Sequence, residues 1–202
     1  MKFCDEQEWG FGWMVEERMQ RCSHALVIRG KVWLLDPLRW DEAERRIRAL
    51  GEPRGVIQLL DRHKRDCALL AAHFRVPLHV TPSNGVPAAP FRVIPIQRNR
   101  LWKEIALWWP EQRVLACGDA LGTSSYYLAP GAVLATHPLL RLFPPKRLGG
   151  VEPRHILCGH GAGVHGEDAS GALHEALETS ARKTPRWLVH TLRAEIERRR
   201  RG

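Results

Sequence analysis

The sequence has no long apolar run and no leader-like start. None of its hydrophobic stretches approaches the roughly 18–20 residues that a helix needs to span a bilayer. The opening stretch, MKFCDEQEWG, is acidic on balance and lacks the cationic start and apolar middle of a signal peptide. We therefore expect a cytoplasmic protein without a membrane partner.

Cysteine is present, but not in a pattern that predicts cross-links. The count of five is odd, the residues are widely spaced and no CxxC pair occurs. Neither a disulfide framework nor a zinc ribbon is indicated. We expect all five to be reduced thiols: Cys4, Cys22, Cys67, Cys117 and Cys158.

Internal repeats and low-complexity segments are also missing, apart from an arginine run near the end of the sequence. With 202 residues, 44% of them hydrophobic, the chain can bury one domain-sized core.

Much of the chain's formal charge of +9 lies in two late segments, ARKTPR and RAEIERRRRG. We predict a domain over residues 1–180 and a basic helix or tail over 181–202. A solvated helix is favoured over a nucleic-acid arm.

Strand-like and helix-like patterns alternate along the body of the chain. HALVIRGKVWLLDP predicts a β-hairpin, LRWDEAERRIRALGEP an amphipathic helix, and GVIQLL a strand buried on both faces. A helix over Cys67 to Phe74 and a short strand, PLHV, follow. Residues 81–100 are rich in proline, so we predict mostly loop with short extended pieces. This order favours α/β layering.

Three apolar runs each end in residues that can bind a metal ion. GVIQLL is followed by Asp61, His63 and Asp66, RVLACG by Asp119, and HILCG by His160. Loops beyond strand ends are where α/β folds collect functional residues. Imidazole nitrogen and carboxylate oxygen are the donors that zinc, iron or manganese use. The pattern therefore indicates one site built from three loops.

These segments, in this order, resemble the metallo-β-lactamase fold. In that family a strand leads into an HxHxDH motif, a later strand into Gly-Asp, and a last strand into Gly-His-Gly. The resemblance implies an αββα four-layer sandwich and a metal-dependent hydrolase acting on an ester, thioester, lactone or phosphoester. It implies the following metal ligands, with Asp66 or Asp119 as the catalytic base: Asp61, His63, Asp66, Asp119 and His160.

The first motif departs from the family pattern. Asp61 replaces the first histidine, Arg65 takes the carboxylate position and Asp66 replaces the last histidine. The histidine expected between this motif and Asp119 is missing. We therefore expect a single ion, with zinc as the first choice and iron or manganese as alternatives, because three protein ligands and a water suffice for catalytic zinc.

Each ligand also has a structural interpretation, in which no metal binds. His63 would then be a solvated loop residue, Asp119 a cap for the following segment, and His160 part of a plain glycine turn. On that basis the alternative function is a non-catalytic protein of the same fold. It would bind an anionic ligand or nucleic acid through Arg62 to Arg65 and the arginine tail.

Overall fold

A six-stranded sheet begins the structure, a computed structural model that describes residues 1–201 without the side chains of Arg198 and Arg201. Its spatial order follows the sequence: β1 (Lys2–Gln7), β2 (Gly10–Met14), β3 (Cys22–Ile28), β4 (Lys31–Leu35), β5 (Glu52–Gln58) and β6 (Leu78–Val80). Strands β1 to β4 are antiparallel, whereas β5 and β6 continue the sheet in parallel. The helices α1 (Asp41–Leu50) and α2 (Cys67–Phe74) make the two crossovers.

A five-stranded sheet follows in the chain. Its strands are β7 (Arg92–Arg98), β8 (Lys103–Trp109), β9 (Val114–Cys117), β12 (His155–Cys158) and β13 (Val164–His165). Between β9 and β12 in the chain, β10 (Leu121–Gly122) and β11 (Ala135–Thr136) form a separate two-stranded sheet. The order in the five-stranded sheet is β13-β12-β9-β8-β7, and β9 and β12 are parallel neighbours. Short 3₁₀ helices at Pro138–Leu140 and Lys146–Gly150 and a long α3 (Ala169–Arg201) complete the fold.

The buried apolar side chains form three main clusters, one between the two sheets and one on the outer face of each sheet. One cluster packs α1 and α2 on the outer face of the first sheet, through residues such as Ile47 and Val56. A second lies between the two sheets, and a third packs α3 on the outer face of the second sheet. Trp108 and Trp109 show the division, because Trp109 lies between the sheets and Trp108 faces α3. The predicted αββα four-layer sandwich is confirmed.

The proline-rich segment is more ordered than its composition indicates. Residues 81–100, predicted to be mostly loop, contain the whole of β7. This strand lies at a sheet edge, and its pairing with β8 shifts register next to Pro95. Proline is tolerated there because an edge strand has backbone groups that need no partner in the sheet.

The end of the chain forms one helix. The boundary predicted at residue 180 falls inside α3, and Pro185 lies within it. Burial in α3 is concentrated before this proline, in residues such as Leu173 and Ser180. Among residues 1–201, no helix is both long enough and apolar enough to cross a membrane.

Candidate metal centre

Two parallel strands bring the Gly-Asp and Gly-His-Gly segments together. Cys117 and Cys158 are register partners at the ends of β9 and β12, and the Gly159 amide donates to the Gly118 carbonyl over 3.0 Å. A Cβ on Gly159 would lie 2.5 Å from that carbonyl oxygen, so only glycine fits. The next residue on each strand is a predicted ligand, and the register sets Asp119 beside His160.

The first loop approaches the same edge from the other sheet. A backbone bridge joins Leu60, just beyond β5, to Glu104 at the start of β8. The amide of His63 then donates to the Leu60 carbonyl over 2.9 Å, which turns the chain back on itself. This turn directs the His63 imidazole to the ends of β9 and β12.

Three of the predicted ligands converge on one point. Nε2 of His63 lies 2.9 Å from Oδ1 of Asp119, and Nε2 of His160 lies 3.1 Å from the same oxygen. Both histidines are buried, with 8% and 6% of their surface exposed. Their ligand atoms and that of Asp119 all lie within 4.8 Å of one another, which is a spacing that one metal ion can bridge.

The outer nitrogen of each imidazole is already committed as a donor. Nδ1 of His63 lies 2.8 Å from Oδ2 of Asp36, and Nδ1 of His160 lies 2.9 Å from the Met19 carbonyl oxygen. Both partners only accept hydrogen bonds, so each Nδ1 carries the proton. A ring that carries only this one proton presents the lone pair of Nε2 to the cluster, as metal-ligating histidines do.

The residues present fit a cation. Oδ1 of Asp119 is buried and has no hydrogen-bond partner, although two imidazole nitrogens lie within 3.1 Å, because those nitrogens are not aligned to donate to it. Three lone-pair donors that meet in a buried space require positive charge to balance them. A divalent ion supplies that charge, and protons on the histidines supply it otherwise.

The pKa shifts of His63 and Asp119 also indicate that the cluster needs positive charge. Burial and Arg65 act to lower the pKa of His63, but the carboxylates of Asp36 and Asp119 outweigh them and raise it to about 9. Burial acts to raise the pKa of Asp119, yet His160 and His63 hold it below its usual range. The ion-free cluster is therefore an imidazolium–carboxylate pair, and a metal would displace that proton.

An arginine fills the position beside the cluster. The Arg65 guanidinium donates to the carbonyl oxygens of Asp36 and Gly159, both over 2.9 Å, and to that of Cys22. It therefore points inward and is held by the ends of three segments that surround the candidate site. A permanent cation at this place disfavours a second metal ion, because like charges repel strongly where water is scarce.

Solved structures with the same architecture are numerous. The chain is similar to DIM-1 metallo-β-lactamase, with 11% sequence identity, 89% of this chain and 97% of that chain covered, and a TM-score of 0.57. It is also similar to BLEG-1 B3 metallo-β-lactamase, with 14% identity, coverage of 84% and 99%, and a TM-score of 0.59. The chain has the metallo-β-lactamase fold. TTHA1623, solved in a di-iron-bound form, is similar at 17% identity, coverage of 83% and 98%, and a TM-score of 0.60.

Sequence divergence accompanies this shared fold. No protein-family model matches the chain, and no curated protein sequence matches it. The identities to solved structures with the metallo-β-lactamase fold are low, between 11% and 17% for DIM-1, BLEG-1 and TTHA1623, so the likeness to them is one of fold. The departures in the first motif contribute to that divergence, since Arg65 stands where the family places a carboxylate.

Two of the five predicted ligands lie outside the cluster. Oδ2 of Asp66 accepts from the Arg39 amide over 2.7 Å, and Asp66 directly precedes α2. Asp61 has a buried Oδ1 without a hydrogen-bond partner, but it does not join the group of ligand atoms around Asp119. The first motif therefore lies in the loop beside the cluster, as the metallo-β-lactamase fold requires. Of the three ligands predicted in this motif, only His63 faces the site.

The site also contains residues that the sequence did not single out. Asp36 orients His63, and its only sequence signal is the Asp-Pro that ends β4. Glu104 is fully buried and accepts from the Ala120 amide and the Trp102 indole, each over 2.7 Å. Tyr127 stacks on His160, with ring centroids 5.8 Å apart. Asp36 thus holds His63, Glu104 holds the residue after Asp119, and Tyr127 donates to the Asp119 carbonyl and packs on His160.

Proposed function

We propose that this protein is a hydrolase that uses one divalent metal ion held by His63, Asp119 and His160. The observation that carries the proposal is the meeting of two imidazole Nε2 atoms at an unpartnered carboxylate oxygen. Two histidines and one carboxylate form a ligand set of the kind seen in catalytic zinc sites, which leave a further position open. Zinc is the first choice for these donors, and iron or manganese are the alternatives.

The residues of the chain supply orientation and charge. When bound, a divalent ion would lower the pKa of a water molecule and polarise the carbonyl or phosphoryl oxygen of a substrate. Asp119 would hold the ion through Oδ1, and its Oδ2 would accept a hydrogen bond from that water and orient it, in place of Asp66, which lies outside the cluster. Asp36 and the Met19 carbonyl hold the two imidazoles so that each Nε2 faces inward.

Arg62 favours an anionic substrate. Its guanidinium lies 3.7 Å from Oδ2 of Asp119 and 4.4 Å above the ring of Trp102, and 48% of its side chain is exposed. A cation at the rim of a metal site attracts a negatively charged group and fixes it near the reacting bond. We therefore favour an ester, thioester, lactone or phosphoester that carries a carboxylate or phosphate.

Elemental analysis of the purified protein tests the proposal. We expect hydrolysis of ester or phosphoester substrates in the native protein, and no hydrolysis and one equivalent of metal per chain fewer in His160→Ala and Asp119→Ala. His174→Ala is the matched control, because this histidine lies on α3 with 39% of its side chain exposed. Metal content that is unchanged in both site variants would disprove the assignment of the ligands.

The non-catalytic alternative uses the basic residues instead. Arg65 is committed to three backbone carbonyls, so Arg62 and Lys64 are the loop cations left for an anionic ligand or nucleic acid. Nucleic-acid binding that weakens steeply with salt, together with a metal-free native protein, would favour this function. No binding at low salt would eliminate its nucleic-acid form.

A further inference from the structure

A second group of metal-binding side chains lies on the first sheet. Cys4 and Asp5 belong to β1, Cys22 and His24 to β3, and the strand between them presents Gly12. A Cβ on Gly12 would lie 2.9 Å from Cys4 Sγ and 2.9 Å from a carbon of the His24 ring. The missing side chain therefore leaves the space in which residues two strands apart can meet.

Four ligand atoms meet above this glycine. Sγ of Cys22 lies 3.2 Å from Sγ of Cys4, 3.6 Å from Nε2 of His24 and 3.9 Å from Oδ2 of Asp5. Nε2 of His24 lies 2.9 Å from that Asp5 oxygen. Ligand atoms around tetrahedral zinc lie roughly 3.3–3.8 Å apart, as follows from zinc–ligand bonds of about 2.0–2.3 Å. The ligand atoms of Cys4, Asp5 and Cys22 already lie within 4.8 Å of one another, and Nε2 of His24, which contacts Asp5 and Cys22, would have to move toward Cys4 to share one ion.

Asp5 is held in place for this arrangement. Its other oxygen, Oδ1, accepts from the Gly163 amide over 2.7 Å and lies 3.0 Å from Nε2 of His165. Its backbone has a φ of 53°, a left-handed conformation that non-glycine residues rarely adopt without compensation. Only 2% of its side chain is exposed, so a full negative charge is fixed among two thiols and a histidine.

We propose that Cys4, Asp5, Cys22 and His24 form a second metal site, specific for zinc and structural in role. Two sulfur ligands, one nitrogen and one oxygen complete a tetrahedron without an open position, as in structural zinc sites. On binding, each thiol releases a proton to solvent and the sulfurs bind as thiolates, and His24 binds through the lone pair of Nε2. Cys4 is partly exposed and gives the ion a route from solvent.

The site would stabilise the loop that carries His160. The Cys22 amide donates to the Gly159 carbonyl over 2.8 Å, and Asp5 binds the Gly163 amide on the other side of the same loop. An ion that fixes Cys22 and Asp5 would therefore fix both ends of the Gly-His-Gly segment. This second site does not depend on the proposed hydrolase function, because the two sites share no ligand.

Cobalt(II) absorption separates the two sites. The centre at Asp119 has only nitrogen and oxygen ligands, so thiolate-to-cobalt charge-transfer absorption reports on the cysteine site alone. With metal-free, full-length protein under reducing conditions, we expect this band to rise as cobalt is added and to reach its maximum within two equivalents, because the two sites together take two ions. It should persist in Asp119→Ala and disappear in Cys4→Ser, whose partly exposed position favours folding. Cys67→Ser is the control and should keep it.

Three results would overturn the proposal. One is the absence of the band in protein whose circular dichroism shows a native fold. Another is a band that survives in both Cys4→Ser and Cys22→Ser. The third is a Cys4–Cys22 disulfide in protein purified without reductant, with no band after reduction, which would assign the pair to redox chemistry. Metal lost from Asp119→Ala by elemental analysis reports on the first site in each case.

Discussion

At the scale of single residues, Asp36 decides which nitrogen of His63 faces the cluster. Its Oδ1 accepts from the Leu59 amide over 2.8 Å, which leaves Oδ2 for the His63 Nδ1 proton. The carboxylate thereby fixes the tautomer and raises the basicity of the ligating nitrogen. Asp36 is thus a positioning residue, and it acts on the metal through His63.

Replacement of Asp36 by asparagine should weaken metal binding by about 10–100-fold. The amide group would turn an N–H toward His63 Nδ1, so that the proton moves to Nε2 and blocks ligation. Competition of each protein with a chromogenic chelator measures the change. Asp66→Asn is the matched control, because the Asp66 side chain accepts from the Arg39 amide outside the cluster and its replacement should leave metal affinity unaltered. An equal loss in both variants would contradict the assignment.

Residue types at strand ends made part of the site predictable. His63, Asp119 and His160 each follow an apolar run, and each lies in the cluster. Asp36 could not be found this way, because its contact with His63 spans 27 residues and forms only when α1 brings β5 beside β4. The inward direction of Arg65 was equally inaccessible, since its partners are backbone carbonyls of three separate segments.

At the scale of elements, the contact between the ends of β9 and β12 positions the ligands. Gly159 allows this close approach, and Gly161 continues the turn with a φ of 88°. The sequence indicated that these glycines served a ligand or a tight turn; the structure shows the close approach and the turn, and the ligand stays a prediction. The strand ends and the ligands therefore form one unit.

Gly159→Ala should destabilise the protein by about 1–3 kcal/mol, the range typical of overpacking in a core. The added Cβ would press on the Gly118 carbonyl and lie 3.0 Å from a carbon of the His63 ring. Gly171→Ala is the control: it lies in α3 with no atom within 4 Å of the added Cβ, and should stabilise by about 0.5–1 kcal/mol. Urea unfolding measures both changes, and equal effects would contradict the packing argument.

At the scale of the whole molecule, the two sheets enclose a carboxyl group. Glu104 is fully buried, and burial, with a contribution from Asp119, raises its pKa from 4.5 to about 7. A raised folded-state pKa contributes stability that is complete below about pH 4.5 and is lost as the pH rises through about 7. Above that range the protein carries a buried charge.

As the pH rises from about 4.5 to about 8, the free energy of unfolding of Glu104→Gln should therefore fall less than that of the native protein. Glutamine remains neutral and still accepts from the Ala120 amide, so the pH-dependent cost is removed. Urea unfolding of the metal-free proteins at the two pH values measures this. Glu111→Gln is the control, because Glu111 also accepts from an indole N–H but lies in an exposed turn. An unchanged pH dependence in Glu104→Gln would refute the role of this group.

The order of elements predicted α/β layering and the resemblance implied the four layers, but neither predicted the contacts across the first sheet. Cys4 and Cys22 lie 18 residues apart in no motif, and only the pairing of β1, β2 and β3 brings them together. The sequence accordingly treated them as isolated thiols. Clusters that form across three strands depend on register, and register is a property of the folded sheet.

Arg65 supplies a positive charge that is part of the chain, so a chelator that removes metal ions does not remove it. A metal ion leaves its site when its free concentration falls, whereas the Arg65 guanidinium is part of the chain and stays at any metal concentration. The carbonyl oxygens of Cys22, Asp36 and Gly159 therefore keep their hydrogen-bond donor when the metal concentration is low. We expect the empty protein to keep its strand ends assembled, so that a single ion is enough to restore the centre when supply returns.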